Sequence, residues 1–338
     1  MKKFATTIIA GALTLAPAAM AEDLKMATVA PGTSGYLTMS TMATLVNTNQ
    51  DQHNISVDAT GAAAKHMIEL AKGDLDFALT APVIFQLMSK QKAMYQKLDE
   101  APELAKNLRL VYWFPWGPVH FITHSEDGLT SLDDLRGKTV FLGPPGGGAW
   151  NSGHAWVKAQ TGMVAGENYK NFKGSWSSGF QAFQDRQIDV YSVGGIPPFP
   201  QMEQLVATST VRLLGPTQAQ VDGMTEEQLA PSRALGRKLT AIDVSAYGDG
   251  VSNPEPVYTF SVVVGVATRA DLDEETVYEV TKTFWEAAEA QRSDTPWLRH
   301  ITVEAAVQNG GLPLHPGAQR YYKEIGATIP EGSMASTN

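Results

Sequence analysis

A β-like run, a glycine-rich loop and a helix-period stretch follow one another near the start of this chain, and the same succession returns about 114 positions later. The pattern predicts a strand over Lys25–Val29, the loop Ala30-Pro-Gly-Thr-Ser-Gly35, and a helix from Tyr36 to about Val46. A second strand (Ile55–Ala59), a loop at Thr60-Gly61, a helix over Ala62–Lys72 and a turn at Gly73-Asp74 lead into a third strand, Leu75–Thr80. In the recurrence, strand Thr139–Leu142 runs into the loop Gly143-Pro-Pro-Gly-Gly-Gly-Ala149 and a helix from Trp150 to about Gln160. Pro31-Gly-Thr-Ser-Gly-Tyr36 lies over Pro145-Gly-Gly-Gly-Ala-Trp150. At nearly the same offset, a helix over Ser178–Arg186 runs into Gln187-Ile-Asp-Val-Tyr191, which lies over Gly73-Asp-Leu-Asp-Phe-Ala78. Two matches at one offset point to duplicated architecture, and the alternation of strands and helices to mostly parallel α/β sheets.

The expected fold class is therefore α/β, with two α/β domains joined by a hinge and a ligand cleft between them. Residues 22–123 with 258–338 are expected to form one domain and 124–257 the other. The aromatic-rich segment Leu108–Thr123 is the expected crossover, and the apolar run Tyr258–Thr268 the return. Helices over Glu274–Arg292 and His315–Ile325 would complete the first domain. Two crossing strands make a hinge.

Met1-Lys2-Lys3, an apolar run from Phe4 to Pro17 and Ala19-Met-Ala21 have the order of a secretory signal peptide, residues 1–21, with the mature protein beginning at Glu22 in the periplasm. No later run reaches the roughly 18 apolar residues of a membrane span, so the mature chain is not expected to be membrane-embedded. The chain has no cysteine, which removes a lipoprotein anchor and any disulfide framework. Its net charge of −9 argues against nucleic acid as a partner.

In an open α/β sheet, ligands sit beyond the C-terminal strand ends, where helix N-termini present free amides and partial positive charge. The loops at Gly32, Gly61, Gly146 and Gly194 occupy such positions, and glycine lets the backbone approach a ligand closely. A carboxylate is the natural guest. Beside these loops only Lys65 and His66 are basic, so backbone amides at Gly146, Gly147 and Gly148 are expected to hold the anion. Aromatic residues Tyr36, Trp113, Phe114, Trp116, Trp150, Trp176 and Tyr191 fall in or beside the loops; about half would serve packing and the rest line the ligand cavity. Other chemistries find less support. Gly148-Ala-Trp-Asn-Ser-Gly153 has phosphate-loop spacing but His154 stands where lysine is needed, and Gly32-Thr-Ser-Gly35 is not a hydrolase elbow. His120 and His124 flank a strand-like run and would lie about 13 Å apart, too far for a metal pair, and read as surface or cleft histidines. Asp76 and Asp189 each follow a turn into a strand, at the end away from the cleft. No catalytic group, metal or cofactor is expected.

Taken in order, Gly32-Thr-Ser-Gly-Tyr36, Val57-Asp-Ala-Thr-Gly61, Lys72-Gly-Asp-Leu-Asp-Phe-Ala78, Ser131-Leu-Asp-Asp-Leu-Arg-Gly-Lys-Thr-Val140, the glycine loop, Gly194-Gly-Ile-Pro197 and Pro313-Leu-His-Pro-Gly-Ala-Gln-Arg-Tyr-Tyr322 resemble the TAXI solute-binding proteins of tripartite ATP-independent periplasmic (TRAP) transporters. The likeness covers nearly the whole mature chain. It implies a type II periplasmic-binding fold, closure over one small organic anion, often glutamate-like or a dicarboxylate, and delivery to TRAP membrane permease subunits. It also implies a site drawn from Thr33, Ser34, Gly35, Tyr36, Thr60, Gly61, Ala62 and Thr80 on one side. On the other are Trp113, Trp116, Gly146–Gly148, Ala149, Trp150, Trp176, Tyr191 and Gly194. The chain departs from the family at Thr60-Gly-Ala-Ala63, where Thr-Gly-Gly-Ser is usual, and at Pro145-Gly-Gly-Gly-Ala149, where Pro-Gly-Ser-Gly-Thr is usual. Thr80-Ala-Pro82 likewise stands where Gln or Asp is common. Lost hydroxyl and amide donors weaken discrimination between polar substituents. A ligand sensor feeding a membrane receptor kinase is the alternative, and an enzyme on the same fold a more distant one.

Overall fold

The computed structural model describes residues 21–335; Met1–Met20, which carry most of the expected signal peptide, lie outside the described residues. The first half runs β1 (Glu22–Ala27), α1 (Ser34–Asn49), β2 (His53–Asp58), α2 (Ala63–Lys72), β3 (Phe77–Thr80), α3 (Pro82–Ser89), α4 (Ala101–Lys106) and the long β4 (Leu108–His124). The second runs β5 (Thr139–Phe141), α5 (Gly148–Thr161), β6 (Lys170–Asn171), α6 (Trp176–Gln184), β7 (Val190–Gly194), α7 (Pro200–Val206) and β8 (Val211–Leu213). It continues through α8 (Gln218–Asp222), α9 (Glu226–Leu229), β9 (Arg237–Ile242) and the long β10 (Val257–Arg269). The chain ends with α10 (Glu274–Gln291), α11 (Val303–Ala306) and α12 (Pro316–Glu324). Local chemistry sets many of these limits. The Thr33 hydroxyl accepts the Tyr36 amide at 3.2 Å to start α1, and Gly73, at φ 86°, ends α2 in the left-handed region that glycine enters freely.

The duplication is visible in the sheet, whose strand order is β2-β1-β3-β10-β4-β7-β5-β6, with β8 beside β4 and β9 beside β10. In each half the first strand lies between its two successors in parallel: β1 between β2 and β3, β5 between β6 and β7. In each half the third strand then pairs antiparallel with a long crossing strand, β3 with β10 and β7 with β4. Equivalent acids close equivalent corners. Asp76 accepts the Lys25 amide at 2.8 Å and Asp189 the Thr139 amide at 2.7 Å.

The halves meet on the antiparallel ladder between β4 and β10, where both strands exchange partners. Leu108–Pro115 pairs with Val263–Arg269, whereas Val119–Ile122 pairs with β7. On β10, Val257–Val262 pairs with β9 and Gly265–Thr268 with β3. At the exchange point Gly117 faces Val262 and Pro115 faces Val263, leaving Trp116 as an extra residue on its strand. Such a bulge bends a strand and re-aims a side chain. Gly117 has φ 106°, and a Cβ there would lie 2.4 Å from the Gly195 backbone, so no other residue fits without movement.

Just past the bulge, His120 and His124 are buried in the core instead of lying on the surface or in the cleft; β4 carries them inward because it is covered on both faces. The His120 Nδ1–H donates to the Pro118 carbonyl at 2.9 Å, and its Nε2 accepts the Tyr247 hydroxyl at 2.9 Å. Burial pushes its pKa down to about 4, against the smaller opposing effect of the Pro118 carbonyl. Because the folded pKa lies below the ordinary histidine value, the unfolded chain takes up this proton first, and stability falls as pH drops from about 6.5 towards 4. We expect His120 to cost roughly 2 kcal/mol between pH 6.5 and 5. Urea midpoints measured across that range should fall less steeply for His120→Gln than for the native chain; parallel profiles would show that His120 is not the titrating group.

Candidate functional site

Between the two halves lies a cleft holding about 890 Å³ of empty space, part of it open to solvent. Its walls include the ends of the equivalent strands β3 and β7 at Thr80 and Gly194, and the starts of α2 and its equivalent α6, of α3 and of α5. Three of those four helix starts share a property. Ala62, Ala81 and Gly147 occupy their N-cap positions, and none makes a side-chain cap hydrogen bond. Elsewhere α1 is capped by Thr33 and α10 by Asp273, and at the cleft α6 is capped by Ser175, whereas α4 and α7, outside the cleft, also lack a side-chain cap. Intrahelical bonding in α3 begins with the Phe85 amide and in α5 with the Asn151 amide. The amides before them are left for a ligand or water.

The first turns of α3 and α5 touch across the cleft. A Cβ on Gly148 would lie 2.9 Å from side-chain carbons of both Val83 and Ile84. Two helix N-termini, each carrying roughly half a positive charge, thus face the same space. The Gly147 amide itself is taken, donating to the Pro144 carbonyl at 3.1 Å, so in this loop the free donors are those of Gly148 and Ala149.

A fixed cation also stands at the cleft. Arg237 opens β9 and lines the wall, its guanidinium 5.6 Å from the centre of the Phe260 ring. One Nη donates to the Pro231 carbonyl at 3.1 Å. No carboxylate pairs with it among the described residues, and burial pushes its pKa down to about 10, leaving it charged at neutral pH. Among basic residues beside the loops, the sequence points only to Lys65 and His66 and not to Arg237. Lys65 faces away, paired with Glu69 at 2.8 Å and largely exposed.

Trp116 shows what the neighbouring glycines are for. Its indole N–H donates to the Gly194 carbonyl at 2.6 Å, and its ring lies 6.3 Å from that of Trp176, which also lines the cleft. A Cβ on Gly35 or Gly194 would fall 2.6 Å or 2.0 Å from the Trp116 ring. Both positions must be glycine for the indole to lie across the cleft floor.

Of the residues expected at the site, Ala62, Thr80, Trp116, Gly147, Gly148, Ala149, Trp176 and Gly194 line this cleft. The others lie outside it. Thr33 is buried and bonded to the Ala30 carbonyl, Ser34 borders a different groove, and Thr60 is bonded to Asp58 beside Gly61 on the surface. Gly146 faces Met94 and Trp150 stacks on His154 at 5.0 Å. Tyr36 is half-buried on α1. Trp113 is fully buried against Gly265 and Gly310, and Tyr191 is stacked on Phe141 with its hydroxyl toward Gln201.

The fold was compared with solved structures. The alkanesulfonate-binding protein SsuA from Xanthomonas axonopodis pv. citri, bound to MOPS, is 17% identical, with 90% of this chain and 85% of that chain covered and a TM-score of 0.50. A structure described as that of a periplasmic transporter is 16% identical, with 90% and 92% covered and a TM-score of 0.53. This is the two-domain α/β fold of periplasmic binding proteins, with the cleft between domains. Residues 26–326 match the model of the NMT1-like family, and the chain belongs to that family. No helix among the described residues is long and apolar enough to cross a membrane.

Thr80 is fully buried at the cleft wall and its hydroxyl has no hydrogen-bond partner. An unmade bond of this kind costs about 1 kcal/mol or more. Thr80→Val should therefore raise the stability of the ligand-free protein by about 1 kcal/mol in urea unfolding. A loss of similar size would show that the hydroxyl is satisfied in solution.

Proposed function

We propose that this chain is a periplasmic solute-binding protein that captures a small organic anion between residues 22–117 with 263–335 on one side and 118–262 on the other, and delivers it to a TRAP-type membrane permease. The observation that carries this reading is Arg237, a charged side chain on a largely apolar cleft wall with no carboxylate partner among the described residues. A cation left unpaired in such a place is destabilising until an anion arrives. The converging first turns of α2, α3 and α5 add partial positive charge and free amides, a setting for carboxylate or sulfonate oxygens. Binding of MOPS, which carries a sulfonate, by a protein of similar fold accords with this.

The two strands exchanging partners at Gly117 and Val262 are the natural hinge, because the ladder between them persists while each half moves as a body. In the apo protein, mutual repulsion of the α3 and α5 N-termini favours opening; an anion between them favours closure. Export as far as the periplasm follows from the leader order of residues 1–21. The TRAP assignment rests on the resemblance of the ordered motifs, and uptake into vesicles carrying the cognate permease should follow a cation gradient and not ATP. Small-angle scattering at saturating ligand should show a smaller radius of gyration than the free chain. Binding without compaction would overturn the clamp.

A further inference from the structure

Once Arg237 has taken one anionic group, the cleft offers no second charged side chain among its described lining residues. Among its described lining residues Arg237 is the only ionisable side chain, and no aspartate or glutamate is present. The polar side chains other than the two indoles are Thr80, Ser152 and Ser192, all neutral. The remaining wall is aliphatic or aromatic, including Leu79, Ile84, Phe260, Val262 and Val264 together with the indoles of Trp116 and Trp176. Each charge state of a solute can be weighed against this surface. An ammonium group would lose its hydration, meet no carboxylate, and lie near Arg237 and three helix N-termini of its own sign. A second carboxylate would have to be buried against hydrocarbon or draw on amides already facing the first. An alkyl or aryl body, by contrast, gains by leaving water along this wall.

We infer that the solute is an organic monoanion with an uncharged apolar body, an aliphatic or arylalkyl carboxylate or sulfonate, and not an α-amino acid or a dicarboxylate. This deepens the proposal above and rests on the cleft being the ligand site. Arg237 and the first-turn amides of α3 and α5 receive the head group, and the valines of β10 with Phe260 and the two tryptophans select the body. The losses noted in the sequence at Ala63, Gly147 and Ala149 fit this solute, since alanine and glycine stand where hydroxyl donors are usual, along the wall of the cleft.

Calorimetric titration of the purified full chain with matched solutes tests this. 4-Methylpentanoate, 3-phenylpropanoate and butane-1-sulfonate are the monoanions. L-Leucine and L-phenylalanine add an ammonium group to the first two skeletons, adipate supplies a second carboxylate, and 4-methylpentanamide removes the charge. The expected result is that at least one monoanion binds 10-fold or more tightly than its ammonium-bearing, doubly charged or neutral counterpart. Arg237→Gln should weaken that binding about 10- to 100-fold, the loss typical of a charged hydrogen bond, with the unfolding midpoint of the free protein not lowered, because the cation has no carboxylate partner there among the described residues. Should adipate or an amino acid bind as well as or better than the monoanions, the assignment of solute class is wrong while the solute-binding reading stands. Should the neutral amide match the acid, or Arg237→Gln bind like the native chain, anion recognition by Arg237 is wrong. Absence of binding by every solute to about 1 mM overturns both readings.

Discussion

The antiparallel ladder between β4 and β10 is the contact on which the rest depends. Among the described residues it is the continuous set of backbone hydrogen bonds that joins both halves, and each strand leaves it to pair with a different half on either side of Gly117 and Val262. The extra residue at that point puts Trp116 out of the regular alternation and across the cleft floor. The indole then dictates its surroundings. Gly35 and Gly194 come from different halves, yet neither has room for a methyl group, because both backbones close on the same ring. A hinge, a cleft floor and two glycines thus follow from one irregularity in strand pairing.

The electrostatics of the cleft run against those of the molecule. The whole chain carries a net charge of −9, yet the cleft gathers a guanidinium with no carboxylate partner among the described residues and three uncapped helix starts. Capping residues at α1, α6 and α10 show that the chain has no general shortage of serine, threonine or aspartate at helix starts. Leaving α2, α3 and α5 uncapped forgoes about 1 kcal/mol apiece and keeps their first-turn amides free. Apolar walls strengthen each of these interactions by lowering the local dielectric, and they let a single cation do what would need several at an exposed site.

Much of this was legible in the sequence. The two strand-loop-helix series, the recurrence near one offset and the two crossing strands all appear where periodicity and glycine loops place them, because each is specified by residues close in sequence. Sheet order confirmed the duplication more strongly than the motifs had, since β2-β1-β3 and β6-β5-β7 are the same arrangement. The site was only half legible. Helix starts and glycine loops before helices announce themselves locally, but Arg237 does not: it opens a short strand after the lone Gly236, and only pairing of β9 with β10 brings it beside Phe260. Trp113 and Tyr191 fell on the wrong side of the division of aromatics between core and cleft. A strand directs alternate side chains to opposite faces, and which face meets the cleft depends on the bulge and on neighbours distant in sequence.

The central claim is that one anionic group is received by Arg237 together with the first turns of α3 and α5. A crystal structure of the protein with a bound acid tests it most directly. The account predicts carboxylate or sulfonate oxygens within about 3.2 Å of the Arg237 guanidinium and of at least one amide among Val83, Ile84, Gly148 and Ala149, with the body against Phe260 and Trp116. An acid whose head group lies instead on the Gly32–Gly35 loop or beside Lys65, with Arg237 untouched, would contradict it.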